Sequence, residues 1–410
     1  LAMLLLCLTG CPDRSTAELP AGSGAAPSPG VTQTTIKIGS WGPITGPAAS
    51  WGVVLKSMEA YFHYINDRGG IHGRKIQLIY RDDQYDPKKT VAIARELVEK
   101  EEVFAIVGGI GTATGRAVAD YLETKGVPFF SPASGDRFWT DPPRKNVYTT
   151  YPRYMTEGQI LGEYIAKELR SLKVAVLLQD DDFGTQGAEG LQRGLEKFGG
   201  KLQLKVTCKP TDTDLSEQVK EIVSAAPEVL VLFAAPKQAV TVVKMLEAQK
   251  KKPHILTSFV LSDPMVFDAA GKKTWEGTIT SVSLELPNSD DESVKKYRQV
   301  LSKYGGGKLQ PGTFSQAGFA LAMPFVEALE RAGNDLTREK LYEALNSMKG
   351  YDGGGPYWTS KGMGPPITFG PDDRLGNDRL FLAKAVDGQW TKVSDWLELA
   401  EAKPERKGGR

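Results

Sequence analysis

The chain has 410 residues, with 51 Lys and Arg against 50 Asp and Glu and a formal net charge of +1. That balance excludes the basic footprint of a nucleic-acid binder, while 40% apolar residues over this length suffice for two ordinary globular domains. Of three cysteines, Cys7, Cys11 and Cys208, only the last lies in the body of the chain, so no internal disulfide is expected and apolar packing must carry the core.

Leu1 to Cys11 reads LAMLLLCLTGC, an apolar run of the roughly 7–15 residues found in secretory signal peptides and well short of the about 20 needed to span a membrane. The chain opens on Leu with no basic stretch before the run, so an upstream start is expected. A Cys directly after Leu8-Thr9-Gly10 resembles the lipobox of bacterial lipoproteins. That resemblance implies a signal peptide over 1–10, acylation of Cys11, and a lipid-anchored protein outside the cytoplasm. Residues 11–33, rich in Ser, Pro, Gly and Ala, read as a flexible tether.

From Thr34 the body alternates β-rich runs with amphipathic helical stretches. Strands are expected at Ile36–Gly39, Lys75–Tyr80, Val103–Val107, Val127–Phe130, Lys173–Leu178, Leu204–Cys208 and Val229–Phe233. Helices are expected at Val53–Asp67, Pro87–Lys100, Thr114–Thr124, Thr185–Phe198 and Lys237–Gln249. Such alternation specifies mostly parallel sheets covered by helices on both faces, here two of them. Ligands of open α/β sheets bind beyond the carboxyl ends of the strands, which directs attention to the loops Ser40–Gly52, Gly108–Thr114 and Ser131–Gly135. All three are rich in Gly and small hydroxyl residues, which let backbone N–H groups approach a ligand at helix N-termini and suit an anion.

Together with Asn66–Lys75, these loops resemble the branched-chain amino-acid binding family, the type I periplasmic solute-binding proteins of ABC importers, over about Thr34 to Trp396. The resemblance implies an α/β fold of two doubly wound, Rossmann-like lobes joined by three crossover segments, closing on a small ligand. The first lobe is expected over 34–150 and 285–357, the second over 151–284 and 358–397, with a disordered charged tail over 398–410. Crossovers should fall near Tyr148–Arg153, Ser281–Leu286 and between Pro356 and Thr368. The expected function is capture of a branched-chain or related amino acid, or another small carboxylate, by a monomer that uses no cofactor and delivers its ligand to a membrane ABC permease. A sensory domain working with a separate signalling partner is the alternative. Neither G-x-G-x-x-G, G-x-x-x-x-G-K-[ST] nor G-x-S-x-G is present, so neither nucleotide binding nor hydrolase chemistry is expected.

The resemblance also assigns residues. Gly111 and Thr112 fall where the family holds the ligand carboxylate; free N–H donors at a helix start favour an anion there, although Thr is equally a good N-cap. Ala133, Ser134 and Gly135 match a second loop for carboxylate and amine, or simply a tight turn. Trp51, with Trp41 as a less certain neighbour, matches an aromatic position against the ligand side chain. Phe183, within Asp180-Asp181-Asp182-Phe183-Gly184, stands where amino-acid binders have Tyr, and the three acids read as helix caps before they read as a metal site. Phe233–Lys237 is the next strand-end loop on the second lobe, with ligand contact expected through Ala235. Amino-acid binders pair the ligand ammonium with a Glu in the region of Thr257–Pro264; here only Asp263 could supply that charge, a few positions late. Without it a buried ammonium would lose about 1.5–3 kcal/mol of charged hydrogen bonding, which makes an acid without an amine a serious candidate. His63, His72 and His254 are too scattered for a metal site.

Overall fold

The structure, a computed structural model, describes residues 28–171 and 173–399; the expected signal run, Cys11 and most of the charged tail lie outside them. Chain order runs β1 (Thr35–Gly42), α1 (Val53–Asn66), β2 (Lys75–Asp82), α2 (Pro87–Glu99), β3 (Ala105–Val107), α3 (Thr112–Thr124), β4 (Phe129–Phe130) and β5 (Val147–Tyr148) in the first lobe. The chain then crosses into α4 (Tyr154–Tyr164), β6 (Val174–Gln179), α5 (Asp182–Glu196), β7 (Leu202–Cys208), α6 (Ser216–Ala225), β8 (Val229–Phe233), α7 (Pro236–Ala248), β9 (His254–Thr257), the short helices α8 (Met265–Ala270) and α9 (Lys272–Trp275), and β10 (Ile279–Val282). It returns for α10 (Glu292–Tyr304), α11 (Thr313–Ala332) and α12 (Arg338–Asn346), of which α10 and α11 pack on α1 and α12 on α11, then ends in the second sheet as β11 (Phe381–Val386) and β12 (Gln389–Lys392).

The first sheet, ordered β2-β1-β3-β4-β5, is parallel throughout. The second, β12-β11-β10-β9-β8-β6-β7, is parallel up to β10 and finishes in an antiparallel edge made by β11 and β12. Strands β6 (VAVLLQ) and β8 (VLVLF) are buried at every position, without polar alternation, because helices cover both faces. Two chemistries punctuate the units. Asp86 accepts from the Lys88 N–H at 2.9 Å with Pro87 in the first turn of α2, and Asp181 accepts from the Phe183 and Gly184 N–H groups at the start of α5.

Helices α4 and α5 meet backbone to backbone. A Cβ on Gly158 would lie 2.1 Å from the Gly187 carbonyl oxygen, and one on Gly190 would lie 2.2 Å from that of Met155. Gly162 and Gly194 continue the seam one turn on. Small residues at helical spacing remove the side-chain layer that normally holds helix axes 8–10 Å apart.

Two boundaries differ from the sequence reading. Residues 28–33, assigned there to the tether, form a turn fixed on the first lobe: Val31 bridges to Ile36 and the Lys37 N–H donates to the Gly30 carbonyl at 2.8 Å. The third crossover also lies later than the span between Pro356 and Thr368. Trp358 packs on Tyr61 and Phe319, and Phe369 on Tyr148 and Phe130, all in the first lobe, so the chain leaves that lobe near Leu375–Leu380. There Leu375 bridges to Thr149, and the Asp378 carboxylate accepts from the Arg153 backbone at 2.8 Å and its guanidinium at 2.6 Å. The first and third crossovers are thereby tied together.

Candidate functional site

The loop after β3 builds the polar end of the site. Gly108, Gly109 and Gly111 all have positive φ, and a Cβ at Gly109 would lie 2.7 Å from the Trp41 ring, so only glycine fits this turn. It delivers the chain into α3 with Gly111 as N-cap and no side-chain cap bond, which leaves the first-turn N–H groups and the positive end of the helix free to face an anion. Beside them the Thr112 hydroxyl lies 2.8 Å from that of Ser134 and 3.3 Å from that of Tyr154, which crosses from the second lobe. Burial holds the Tyr154 hydroxyl well above its ordinary range, so it stays a neutral donor.

Around that end lies a cavity between the lobes, partly open to solvent. Aromatic rings form most of its wall. Trp51 packs 5.4 Å from Tyr85, Tyr154 4.7 Å from Phe183 and Tyr151 5.1 Å from Phe259. Phe314, Ala317 and Leu321 present one face of α11. Among the described residues, no Asp, Glu, Lys or Arg lines this cavity.

The charged groups near the cleft serve the contact between lobes instead. Arg116 of α3 grips Asp136 through two nitrogens and reaches Asp182 of α5 at 2.9 Å, while the Gln186 amide donates to Asp136 at 2.5 Å. On the opposite rim the Trp51 indole N–H meets the Val260 carbonyl at 3.5 Å. Asp263 accepts from the Phe314 N–H of α11 at 2.8 Å and from Met265 at 3.0 Å. Behind the wall, Glu157 of α4 accepts from the Phe259 N–H at 2.7 Å, the Ser258 hydroxyl at 3.0 Å and the Ser281 hydroxyl. Burial pushes its carboxyl up to about 7 against the pull of those donors. The lobes are therefore closed on the cavity.

The residues singled out from sequence divide into three groups. Trp51, Gly111, Ala133 and Phe183 line the cavity. Thr112 and Ser134 lie directly behind its polar end, 1% and 0% exposed, and Gly135 is pressed against Pro152, where a Cβ would lie 2.1 Å from its carbonyl oxygen. Two expectations of ligand contact do not match the structure. Ala235 is the buried N-cap of α7 and does not line the cavity. Asp263 does not line it either; its carboxylate is satisfied by the start of α11, and burial raises its pKa. Trp41 is likewise core, 5.4 Å from Phe129. The three acids go separate ways, with Asp180 exposed, Asp181 capping α5 and Asp182 paired with Arg116, and no cluster of metal-ligating side chains occurs among the described residues. Cys208 is buried in β7, its thiol pushed up to about 12 by desolvation, which leaves it unreactive.

Sequence reasoning missed Tyr85, Tyr151, Tyr154, Phe259, Phe314 and Leu321. A signal existed for two of them: Tyr151-Pro152-Arg153-Tyr154 places two aromatics at the crossover already located. Tyr85 gave none, because its ring reaches the cleft through a left-handed backbone, φ 62°.

A family model described as periplasmic binding protein matches residues 35–389. The Leu/Ile/Val-binding protein homolog 7 of Brucella abortus is 26% identical over 347 residues, covering 80% of each chain. Among solved structures, a fatty acid ABC transporter substrate-binding protein from Thermomonospora curvata superposes with a TM-score of 0.80 at 25% identity, covering 92% of this chain and 96% of that one. A branched-chain amino acid ABC transporter protein from Thermus thermophilus with bound valine superposes at 0.79 with 22% identity, covering 90% and 98%, and shares the fold.

Proposed function

The chain belongs to the periplasmic binding protein family, and from that premise we propose that it captures a small carboxylate outside the cytoplasm and hands it to an ABC permease. The observation that carries this reading is a cavity with an uncapped helix N-terminus at one end and no charged side chain in its described wall. A carboxylate suits the α3 end, where the N–H groups of the first turn and the Thr112, Ser134 and Tyr154 hydroxyls converge. An α-ammonium finds no carboxylate beside it. Relatives named for Leu, Ile and Val binding support an amino acid as cargo, whereas the neutral wall favours an acid that lacks the amine, as does the Thermomonospora curvata protein, which is named for fatty acids.

Capture needs no chemistry from the protein. The ligand docks on the Gly111 and Ala133 loops of the first lobe, and the second lobe brings Tyr154, Phe183 and Phe259 over it. Excluding water strengthens the polar contacts at the α3 end, and the closed surface is the form a permease can distinguish from the open one. Among the described residues no helix is long and apolar enough to cross a membrane. Anchoring through a lipid on Cys11 completes the proposal; the receptor acts as a monomer.

Thermal and chemical denaturation against a panel of amino acids and monocarboxylates tests the reading. A ligand present at 100 times its dissociation constant adds about 2.7 kcal/mol of stability. Thr112→Val, which keeps shape and removes the hydroxyl, should weaken a carboxylate by about 1.5–3 kcal/mol, or roughly ten- to a hundredfold. A panel without a single stabilising acid, or an unchanged dissociation constant in Thr112→Val, would overturn it.

A further inference from the structure

A second cavity lies beside the first on the hinge side of the molecule. The two meet at Tyr151, Ser283, Leu284, Ala317 and Leu321, which line both. All three crossovers contribute to the second chamber, through Thr150–Pro152, through Ser283 and Leu284, and through the region from Tyr351 to Asn377. Helix α11 runs along both chambers. Phe314, Ala317 and Leu321 face the first, and Ala317, Ala320, Leu321 and Pro324 face the second. These spacings of three and four keep one helix face. Thr313 to Pro324 spans about 16 Å at roughly 1.5 Å per residue.

Three of the polar side chains lining the second chamber already have partners. The Thr150 hydroxyl bonds Ser131 at 2.6 Å, Asp352 pairs with Lys361 at 3.0 Å, and Asn377 accepts from the Arg379 N–H at 3.0 Å. Besides the hydroxyls of Tyr151, Ser283 and Tyr351, the wall offers an occupant a mostly apolar surface built by Ala320, Met323, Pro324, Met363, Pro365 and Ile367. The small side chains of Ala317 and Ala320 keep that path open along α11.

We infer that the second chamber is a tail subsite: the ligand is a carboxylate with an extended apolar chain, whose head sits at the start of α3 and whose tail passes Tyr151 and Leu284 into the hinge. This rests on the carboxylate reading above and adds length to it. A valine- or leucine-sized ligand would fill only the first chamber, leaving the second an apolar space with no occupant. A chain that fills both buries its methylenes at roughly fourfold in affinity each.

Isothermal titration with butanoate, octanoate, dodecanoate and hexadecanoate, all below their micellar concentrations, reads this directly. Affinity should keep rising beyond octanoate. Ala320→Phe, which fills the second chamber away from the head group, should cost dodecanoate and hexadecanoate tenfold or more while leaving butanoate unchanged; the milder Ala320→Leu should shift the same boundary should the larger ring impair folding. Affinity that levels off at short chains, or an Ala320 variant that weakens all lengths equally, would refute the tail subsite while leaving the carboxylate reading intact. Binding by no acid of any length would remove both.

Discussion

Replacing Glu157 by Gln should change how stability depends on pH more than it changes stability itself. Glu157 is wholly buried where α4, the loop at Ser258 and Phe259, and the end of β10 meet, and its carboxyl is raised from 4.5 to about 7 by desolvation. A carboxyl so raised holds its proton more tightly in the folded than in the unfolded chain. Its favourable contribution is therefore complete below about 4.5 and is lost as pH rises through about 7. At roughly 1.4 kcal/mol per pH unit, the loss amounts to about 3 kcal/mol. Gln has no such titration, and its amide can still accept from the Phe259 N–H and Ser281 while donating to the Ser258 hydroxyl. Urea unfolding followed at several pH values should show the variant gaining about 3 kcal/mol on the wild type between pH 4.5 and 8, most steeply from about 5 to 6.5. Because every other titrating group is common to both proteins, the difference curve isolates this carboxyl. Two curves that stay parallel across the range would show that the three donors already keep Glu157 ionised, and the reasoning from burial would fail.

Asp263→Ala removes the cap that the second lobe places on α11. Losing it should cost about 1–2 kcal/mol, borne by the closed form, so apparent dissociation constants rise roughly five- to thirtyfold for acids with and without an amine alike; a loss confined to amino acids would instead make Asp263 an ammonium partner. Gly158→Ala forces a methyl against the Gly187 carbonyl, and a melting curve should show destabilisation by about 1–3 kcal/mol despite the better helix propensity of Ala. An unchanged or higher melting temperature would mean that the helices can part without cost.

The β/α alternation was legible because each unit carries its own local signals, a β-branched run, a capping acid, a Gly stop. The loops at Gly111 and Ala133 stood out as glycine-rich strand ends, and both residues line the cavity. Ala235 was expected near the ligand from its place in a strand-end loop, and Asp263 from the resemblance, as the acid nearest the family's Glu; neither lines the cavity, and α11, some fifty residues later, presents an N–H to Asp263 that sequence proximity cannot reveal. The third crossover escaped for a similar reason. Residues 350–370 are Gly- and Pro-rich without periodicity, and only the burial of Trp358 and Phe369 against the first lobe shows where that segment belongs. Most of the aromatic wall was equally hidden, because its rings come from several separate elements and converge only when the lobes close.

The glycine seam between α4 and α5 bears on how the clamp can move. With backbones in direct contact, the two helices cannot slide past one another without steric overlap, so they behave as a single stiff plate. Tyr154 rides at one end of that plate and Phe183 at the start of its partner helix, 4.7 Å apart. A ligand that draws Phe183 inward must swing Tyr154 toward Thr112 in the same stroke. Rotation then has to be absorbed at the hinge beside Arg153, where the Asp378 contact joins two of the three strands of chain that bend.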